Sequence, residues 1–367
     1  MALKFGKRFL AVLISGSLAI SCFAMQASAE SLSEMYSDNS EPVSFNAAVE
    51  GDYKQKLAEY ENAGYTPANI SEKISVGSEQ FRFDGVASPE YKDIADTRFF
   101  LWNSDIKSIS FNVGVPVSGL YTFGFVYSAD TVASADIIRT MSVDGAVPYE
   151  ECATLYLPRK WKNGEVGVDN SGDEVNPLMI QQEDVQDGVI FDNEGRYAEP
   201  LQIYLEQGNH TFSFGFNSMD VYVSSFFLDS YNTVPTYETV SKEYGGYSSY
   251  HGQSVVFETE DSVAYTNSST LNMDSDGDPL CSPLSRGTVK MNVIGGSSNQ
   301  KPGTAATFSF SVKESGLYKL AFRVKQNYRD GLPTYRRIEV DGSVPFKEFS
   351  EYKFINKSTW ITFINNS

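Results

Sequence analysis

A block of matched residues occurs twice in this chain at a fixed spacing, and that repeat limits what the chain can become. Ser118-Gly119-Leu120-Tyr121 returns as Ser315-Gly316-Leu317-Tyr318, and Arg139 returns as Arg336. Val143-Asp144-Gly145 returns as Val340-Asp341-Gly342, Val147-Pro148 as Val344-Pro345, and Glu151 as Glu348. Every pair is 197 residues apart. The preceding segment keeps the spacing as well, since Phe111, Val113 and Val115 match Phe308, Phe310 and Val312. A repeat of this length is a whole folded module, not a solenoid unit. The residue types are those of a scaffold. Ser-Gly turns the chain into a strand, Asp-Gly before a short apolar run marks a hairpin, and Val-Pro ends further pairing.

Between these landmarks the apolar residues alternate. Ile109, Phe111, Val113 and Val115 do so, as do Tyr121, Phe123, Phe125 and Tyr127, and again Phe212, Phe214 and Phe216. Period two buries one face of a strand and solvates the other, as in a sandwich. The 22 Tyr, 25 Phe and 3 Trp residues reinforce strand over helix. The one helical pattern is Tyr53, Leu57 and Tyr60, closed by Gly64 and Pro67. The expected fold is therefore mainly β: two jelly-roll or galactose-binding-like β-sandwich modules, the second truncated, with one short N-terminal helix. The organisation read from these patterns is 1–29 leader, 30–73 polar segment and short helix, 74–232 first module, 233–252 linker, and 253–367 second module. The first copy runs on after Trp161 through Leu201, Ile203 and Leu205 to strands at 211–216 and 221–228. Trp360 is expected to play the part of Trp161, and the second copy lacks counterparts of the closing strands.

The ends and the charge bound the setting. Lys4, Lys7 and Arg8 precede an apolar run from Phe9 to Phe23, and Ala27-Ser28-Ala29 follows. That order reads as a secretory signal peptide. Ala19-Ile20-Ser21-Cys22 loosely resembles a bacterial lipobox, the alternative, with a lipid anchor at Cys22. Either way the expectation is a secreted or cell-surface protein. The formal charge is −18, and without residues 1–29, which hold three basic and no acidic side chains, it is −21. So acidic a surface repels nucleic acid and anionic lipid. After the leader only Cys152 and Cys281 remain, which excludes a disulfide-stapled domain and leaves one bridge between the halves as an alternative. His210 and His251 stand in no metal or triad pattern.

The order SGLY, Arg, VDGxVPxxE, with Asp192-Asn193-Glu194-Gly195-Arg196-Tyr197-Ala198-Glu199-Pro200 and with Ile294-Gly295-Gly296 before Pro302-Gly303, resembles the β-sandwich regions of large extracellular solute-binding proteins of Gram-positive carbohydrate ABC transporters. It is also similar to family six and family thirty-five carbohydrate-binding modules. The resemblance spans roughly residues 50–360. It implies carbohydrate as ligand, ABC-transporter membrane components as further partners, and no nucleic acid. The two-lobed solute-binding domain of that family has no counterpart in this sequence, so its transport function does not carry over.

Sugars bind on aromatic faces with polar side chains reading the hydroxyls. The candidates are Trp161, Arg196, Tyr197 and Glu199 in the first module and Tyr328, Tyr335 and Trp360 in the second; Trp102 is assigned to the core. Glu258 and Glu260 stand where related modules place structural calcium ligands. Asp274-Ser275-Asp276-Gly277-Asp278 offers alternate carboxylates to a cation and reads first as an acidic loop. No pair of carboxylates is singled out for glycoside hydrolysis, so a non-catalytic carbohydrate-binding protein is expected. A surface protein completed by another chain's strands is the alternative, and a polysaccharide-degrading accessory is the less favoured one.

Overall fold

The computed structural model of the chain describes residues 3–5, 49–262, 264–267, 271–296, 302–327 and 330–364. Cys22 and Tyr328 lie outside them, as does all of the leader except residues 3–5. The first half is a sandwich of two antiparallel sheets. One runs in the order Val185–Val189, Gly119–Ala129, Val221–Ser230, Thr97–Trp102, Tyr91–Ile94. Gln202–Leu205 also pairs with Gly119–Ala129, and Ile74–Gly77 with Val221–Ser230. The other runs Arg82–Asp84, Ser108–Val115, Gly208–Ser218, Ile137–Val143, Leu155–Leu157. The alternation read in the sequence is the burial pattern observed. Ile109, Phe111, Val113 and Val115 point inward while their neighbours are solvated or half-buried.

The core between the sheets is built of rings. Phe111, Phe212 and Phe214 descend from one sheet and meet Phe125 and Phe226 of the other, with centroids 4.9–5.4 Å apart across the sheets. These separations suit edge and tilted contacts, in which ring edges meet ring faces. Trp102 is fully buried here, and its Nε1 donates to the Ile106 carbonyl at 3.0 Å.

The repeated residues turn out to be ties between elements. Helix α1, Tyr53–Ala63, is capped by Asp52, whose Oδ1 accepts the Gln55 N–H at 2.8 Å. Its first N–H, that of Tyr53, donates to Glu151 Oε2 at 2.8 Å, and the Tyr53 ring packs on Tyr149 at 4.7 Å. The same device recurs later in the chain. Helix α2, Tyr237–Glu243, starts at Thr236, and the Tyr237 N–H donates to Glu348 Oε2 at 2.9 Å. The Tyr237 ring packs on Phe346, which stands 197 residues after Tyr149, at 5.1 Å. The segment read as linker thus contains the second copy's helix. It escaped notice because it is seven residues long and buries no residue fully. Asp144 and Asp341 share a left-handed φ of 52° in their turns, and Gly145 and Gly342 follow at φ 85° and 78°.

The copies diverge where the closing strands matter. Arg139 has 0% exposure; its guanidinium donates to the Ser218 and Met219 carbonyls at 2.6 and 2.9 Å and lies between Trp102 and Phe216. Arg336 is exposed and donates to Thr334 Oγ1 and the Tyr335 carbonyl. Its strand Thr334–Arg336 still pairs with Tyr352–Phe354 in the register by which Ile137–Arg139 pairs with Leu155–Leu157. The second half otherwise pairs in short pieces around a core of Val312, Ile338, Val344, Phe346 and Phe349.

The halves are not separate. A four-stranded sheet runs Met179–Gln182, Lys160–Asn163, Ala264–Thr266, Ala305–Thr307, taking two strands from each side of the expected boundary.

Candidate functional site

The Asp192–Pro200 loop brings Arg196, Tyr197 and Glu199 together, as the sequence suggested. Asp192 is buried and organises it. Its carboxylate accepts from the Arg196 backbone N–H at 2.7 Å and from Arg196 Nε and Nη2 at 3.2 and 3.0 Å. Arg196 Nη2 also reaches Glu151 Oε1 at 3.0 Å. Hydrogen bonding to Asp192 first, and the charges of Asp192 and Glu151 after it, hold the guanidinium proton above its ordinary affinity against the opposing effect of burial. Tyr197 sets its ring edge-on to Tyr53 at 4.9 Å. Burial, and then a hydrogen bond to Glu199, raise the Tyr231 hydroxyl pKa.

That loop faces the second half. Arg337 donates to the Ala198 carbonyl at 3.0 Å and covers Phe191, and Asn267 Nδ2 reaches Asn193 Oδ1 at 3.3 Å. A Cβ on Gly195 would sit 2.7 Å from Pro302. The three candidate residues therefore stand at an internal junction, with Arg196 committed to two carboxylates.

The tryptophans part company. Trp161 is 7% exposed and packs with Tyr265 and Leu271 in the shared sheet. Trp360 lies on Lys357–Ile364, which pairs with Ala321–Gln326, and its Nε1 donates to Asp276 Oδ2 at 2.9 Å. The expected equivalence of Trp161 and Trp360 does not hold, because the second copy spends its tryptophan strand on a different partner. Tyr335 is exposed on Thr334–Arg336.

The acidic loop is internally satisfied. Asp274, Asp276 and Asp278 accept from the backbone N–H groups of Ser275, Asp278 and Leu280, and Lys325 Nζ pairs with Asp276 at 2.7 Å. Glu258 stands just before the turn Thr259–Asp261 and Glu260 lies within it. Burial, reinforced by the charges of Glu258 and Asp261, pushes the Glu260 carboxyl up to about 6, and its Oε2 is buried without a hydrogen-bond partner. Among the described residues no group of three or more His, Cys, Asp or Glu side chains is arranged to hold a metal. Calcium takes six to eight oxygens, carbonyls included, so Glu258 and Glu260 would need further oxygens beside them to hold one. Cys152 and Cys281 are free and buried, so no bridge joins the halves. Burial pushes both thiols up, Cys281 to about 11, which makes them poor nucleophiles.

The open polar site is elsewhere. Val221–Ser230 pairs along one edge first with Thr97–Trp102, through Val223, and then with Ile74–Gly77, from Ser225 onward. On the other edge, against Gly119–Ala129, the register shifts at the same place, between Val223 and Ser225. The sheet opens there into a cleft of about 230 Å³ lined by Gly77, Ser78, Glu79, Tyr91, Arg98, Ser224 and Ser225. The Arg98 guanidinium lies over the Tyr91 ring at 4.0 Å, and Tyr91 in turn packs against the sandwich core. The Glu79 carboxylate folds over Gly77, where a Cβ would come within 2.3–2.6 Å of it. Sequence reading missed this cleft, although it left a mark: the apolar phase moves from Val221 and Val223 to Phe226 and Leu228, the sign of a bulge.

No protein-family model and no curated protein matches the chain. A family 35 carbohydrate-binding module from Clostridium thermocellum is similar at 13% identity, covering 44% of this chain and 100% of that one, with a TM-score of 0.27. A GH26-CBM35 β-(1,4)-mannanase from Podospora anserina is 12% identical over 49% of this chain and 36% of its own, with a TM-score of 0.24. The catalytic unit of a GH87 α-1,3-glucanase from Streptomyces thermodiastaticus is 13% identical over 51% and 32%, with a TM-score of 0.27. These are loose overlaps, and the description of this chain as mainly β rests on its own strand pairing.

Proposed function

We propose that this chain is an extracellular, non-catalytic carbohydrate-binding protein, belonging to or derived from a sugar ABC-transporter solute-binding protein, and that the cleft beside Arg98 takes the sugar. The observation that carries the reading is a guanidinium placed over the Tyr91 ring at 4.0 Å, in a cleft also lined by Glu79 and serines. A planar donor fork, a carboxylate acceptor and hydroxyls of both characters match the alternating donors and acceptors of a polyol. The ring beneath Arg98 fixes the fork, so less freedom is lost on binding. The volume is below the about 300–1,000 Å³ of pockets that enclose drug-sized ligands, which suits one sugar unit of a longer chain. Glu79 is the one carboxylate among the lining residues, whereas glycoside hydrolysis uses two across the scissile bond. Export and membership of an uptake system rest on the leader pattern and on the SGLY and VDG resemblance.

Glycan-array screening followed by calorimetry on the best oligosaccharide tests the reading. Arg98→Ala is expected to weaken binding about 10- to 100-fold, the scale of one charge-assisted hydrogen bond, and Glu79→Gln somewhat less. Failure of the folded protein to bind any polysaccharide, or equal binding by both variants, would remove the proposal.

A further inference from the structure

Each charged side chain of the Arg98 cleft comes from a backbone that a buried ring holds. Glu79 stands in the turn Ser78–Gln80, and Phe81, two residues on, is buried in the sandwich core. Arg98 stands in Thr97–Trp102, and Phe100, two residues on, is buried in the same core. The rings of Phe81 and Phe100 meet edge-on at 5.9 Å. One ring pair therefore ties together the two backbones from which Glu79 and Arg98 reach the cleft.

Gly77 shows how the carboxylate is placed. Its backbone has φ −77° and ψ 156°, an extended conformation that any residue adopts. Glycine is therefore not needed there for conformation. It is needed for room: a Cβ would collide with the Glu79 carboxylate. The Arg98 guanidinium has its own support in the Tyr91 ring at 4.0 Å, and Tyr91 stands opposite Phe100 in the ladder.

Neither charge is spent within the protein. Among the described residues Arg98 forms no ion pair, and neither does Glu79, which receives only a long contact from Gln80 Nε2 at 3.5 Å. Acidic partners are available in this sheet, since Lys73 pairs with Asp187 and Lys92 with Glu183. Arg98 and Glu79 do not neutralise each other either, although both line one cleft of about 230 Å³.

A ligand in this cleft meets a cation and an anion together. An acidic sugar gains at Arg98 and is repelled at Glu79, and an amino sugar does the reverse. A neutral sugar displaces water from both charges and supplies neither countercharge. A sugar unit with an amine and a carboxylate satisfies both. We infer that the cleft selects a zwitterionic sugar unit, its carboxylate on the Arg98 fork and its ammonium on Glu79, with Gly77 as the positioning residue for Glu79. This rests on the reading of the cleft as a sugar site.

Chemical-shift titration at pH 6 tests it with methyl glycosides of four sugars: the neutral hexose, its uronic acid, its 2-amino sugar and its 2-amino uronic acid, in the gluco and galacto series. At that pH the amine is protonated and the carboxylate ionised. The amino uronic acid is expected to bind about 10- to 100-fold more tightly than the neutral sugar, each charge adding about 3- to 10-fold. Arg98→Gln is expected to remove the gain from the carboxylate alone, and Glu79→Gln the gain from the amine alone. Gly77→Ala keeps an allowed backbone and pushes the flexible end of Glu79 aside. It is expected to act as Glu79→Gln does, losing the amine's gain while keeping the carboxylate's gain and its midpoint in urea. Equal weakening of all four ligands by Gly77→Ala overturns the role given to Gly77. If the neutral sugar, the uronic acid or the amino sugar binds as tightly as the zwitterion, the inference falls and the carbohydrate reading stands. A folded protein that binds none of them removes the cleft as a sugar site and this inference with it.

Discussion

Arg139 and Arg336 hold equivalent places in the repeat and have different surroundings. Arg139 is buried against Trp102 and supplies donors to the Ser218 and Met219 carbonyls at the turn between two closing strands. Removing it takes the donors from those part-buried carbonyls and the packing from between Trp102 and Phe216, so Arg139→Leu is expected to cost about 2–3 kcal/mol. Arg336→Leu, at a site with exposed surface but a partly desolvated guanidinium whose pKa is lowered by it, is expected to cost about 1 kcal/mol or less. Urea denaturation of the two variants checks the contrast, and equal losses would show that the second copy encloses its arginine as well. The repeat was legible at this scale because identical residues recur, but the partners of each were not. Nothing in the letters at Arg139 names Ser218, and nothing at Ser224 names Arg98. Backbone pairing joins those residues across more than 70 positions in the first case and more than 120 in the second. Likewise Arg196, picked as a sugar reader, sits between Asp192 and Glu151 because the loop closes on itself.

At the scale of elements, period two located the sandwich strands well, since each buries one face. What it left out were pieces whose cause is tertiary. Helix α2 has a cap but almost no apolar stripe of its own, and its anchor, Glu348, lies 111 residues away. The Asp144 hairpin shows how one element depends on another. His210, from the neighbouring Gly208–Ser218 strand, places Nδ1 2.7 Å from Asp144 Oδ2 and Nε2 2.8 Å from the Glu206 carbonyl. Burial opposes charging this ring, yet the hydrogen bonds to Asp144 and Glu206 together raise its pKa. A raised folded pKa means that the ion pair's stability is fully present below the unfolded value of about 6.5 and is lost as pH rises through the folded value. The stability gap between the wild type and His210→Ala is therefore expected to be wider at pH 6 than at pH 9, as measured by urea melts at both. A gap that is constant or widens with pH would show that the imidazole acts as a neutral packing group. At the equivalent turn Asp341 has its carboxyl raised by burial alone, so the second hairpin is expected to lack this dependence on a histidine.

For the whole molecule, the boundary expected between residues 232 and 253 marks the repeat but not the mechanical division. Lys160–Asn163 and Ala264–Thr266 lie side by side in one sheet, and Trp161, Tyr265 and Leu271 form a core belonging to both halves. Polar ties surround it: Lys290 meets Glu174 at 2.7 Å, the Val289 N–H donates to Asp173 at 2.7 Å, and Arg337 caps the Ala198 carbonyl. Among the described residues the second half has a small core of its own, and the seam adds to its order. Small cores sustain little independent stability, because ordering each residue costs about as much free energy as its burial returns. Coupled in this way, the halves are expected to unfold together in the wild type. Trp161→Ala removes a buried ring and leaves a cavity at the seam, at a cost of about 3–5 kcal/mol. That cost falls on the link and not on the first sandwich, whose rings lie between its own two sheets. The variant is therefore expected to unfold in two steps, the second half first. Hydrogen exchange during a urea titration follows both parts, with the hydrogen-bonded Ile338 and Phe349 amides losing protection before those of Phe125 and Phe214. A single transition in Trp161→Ala, with both sets lost together, would mean that the shared sheet is not what couples the halves and that contacts such as Arg337 with Ala198 suffice.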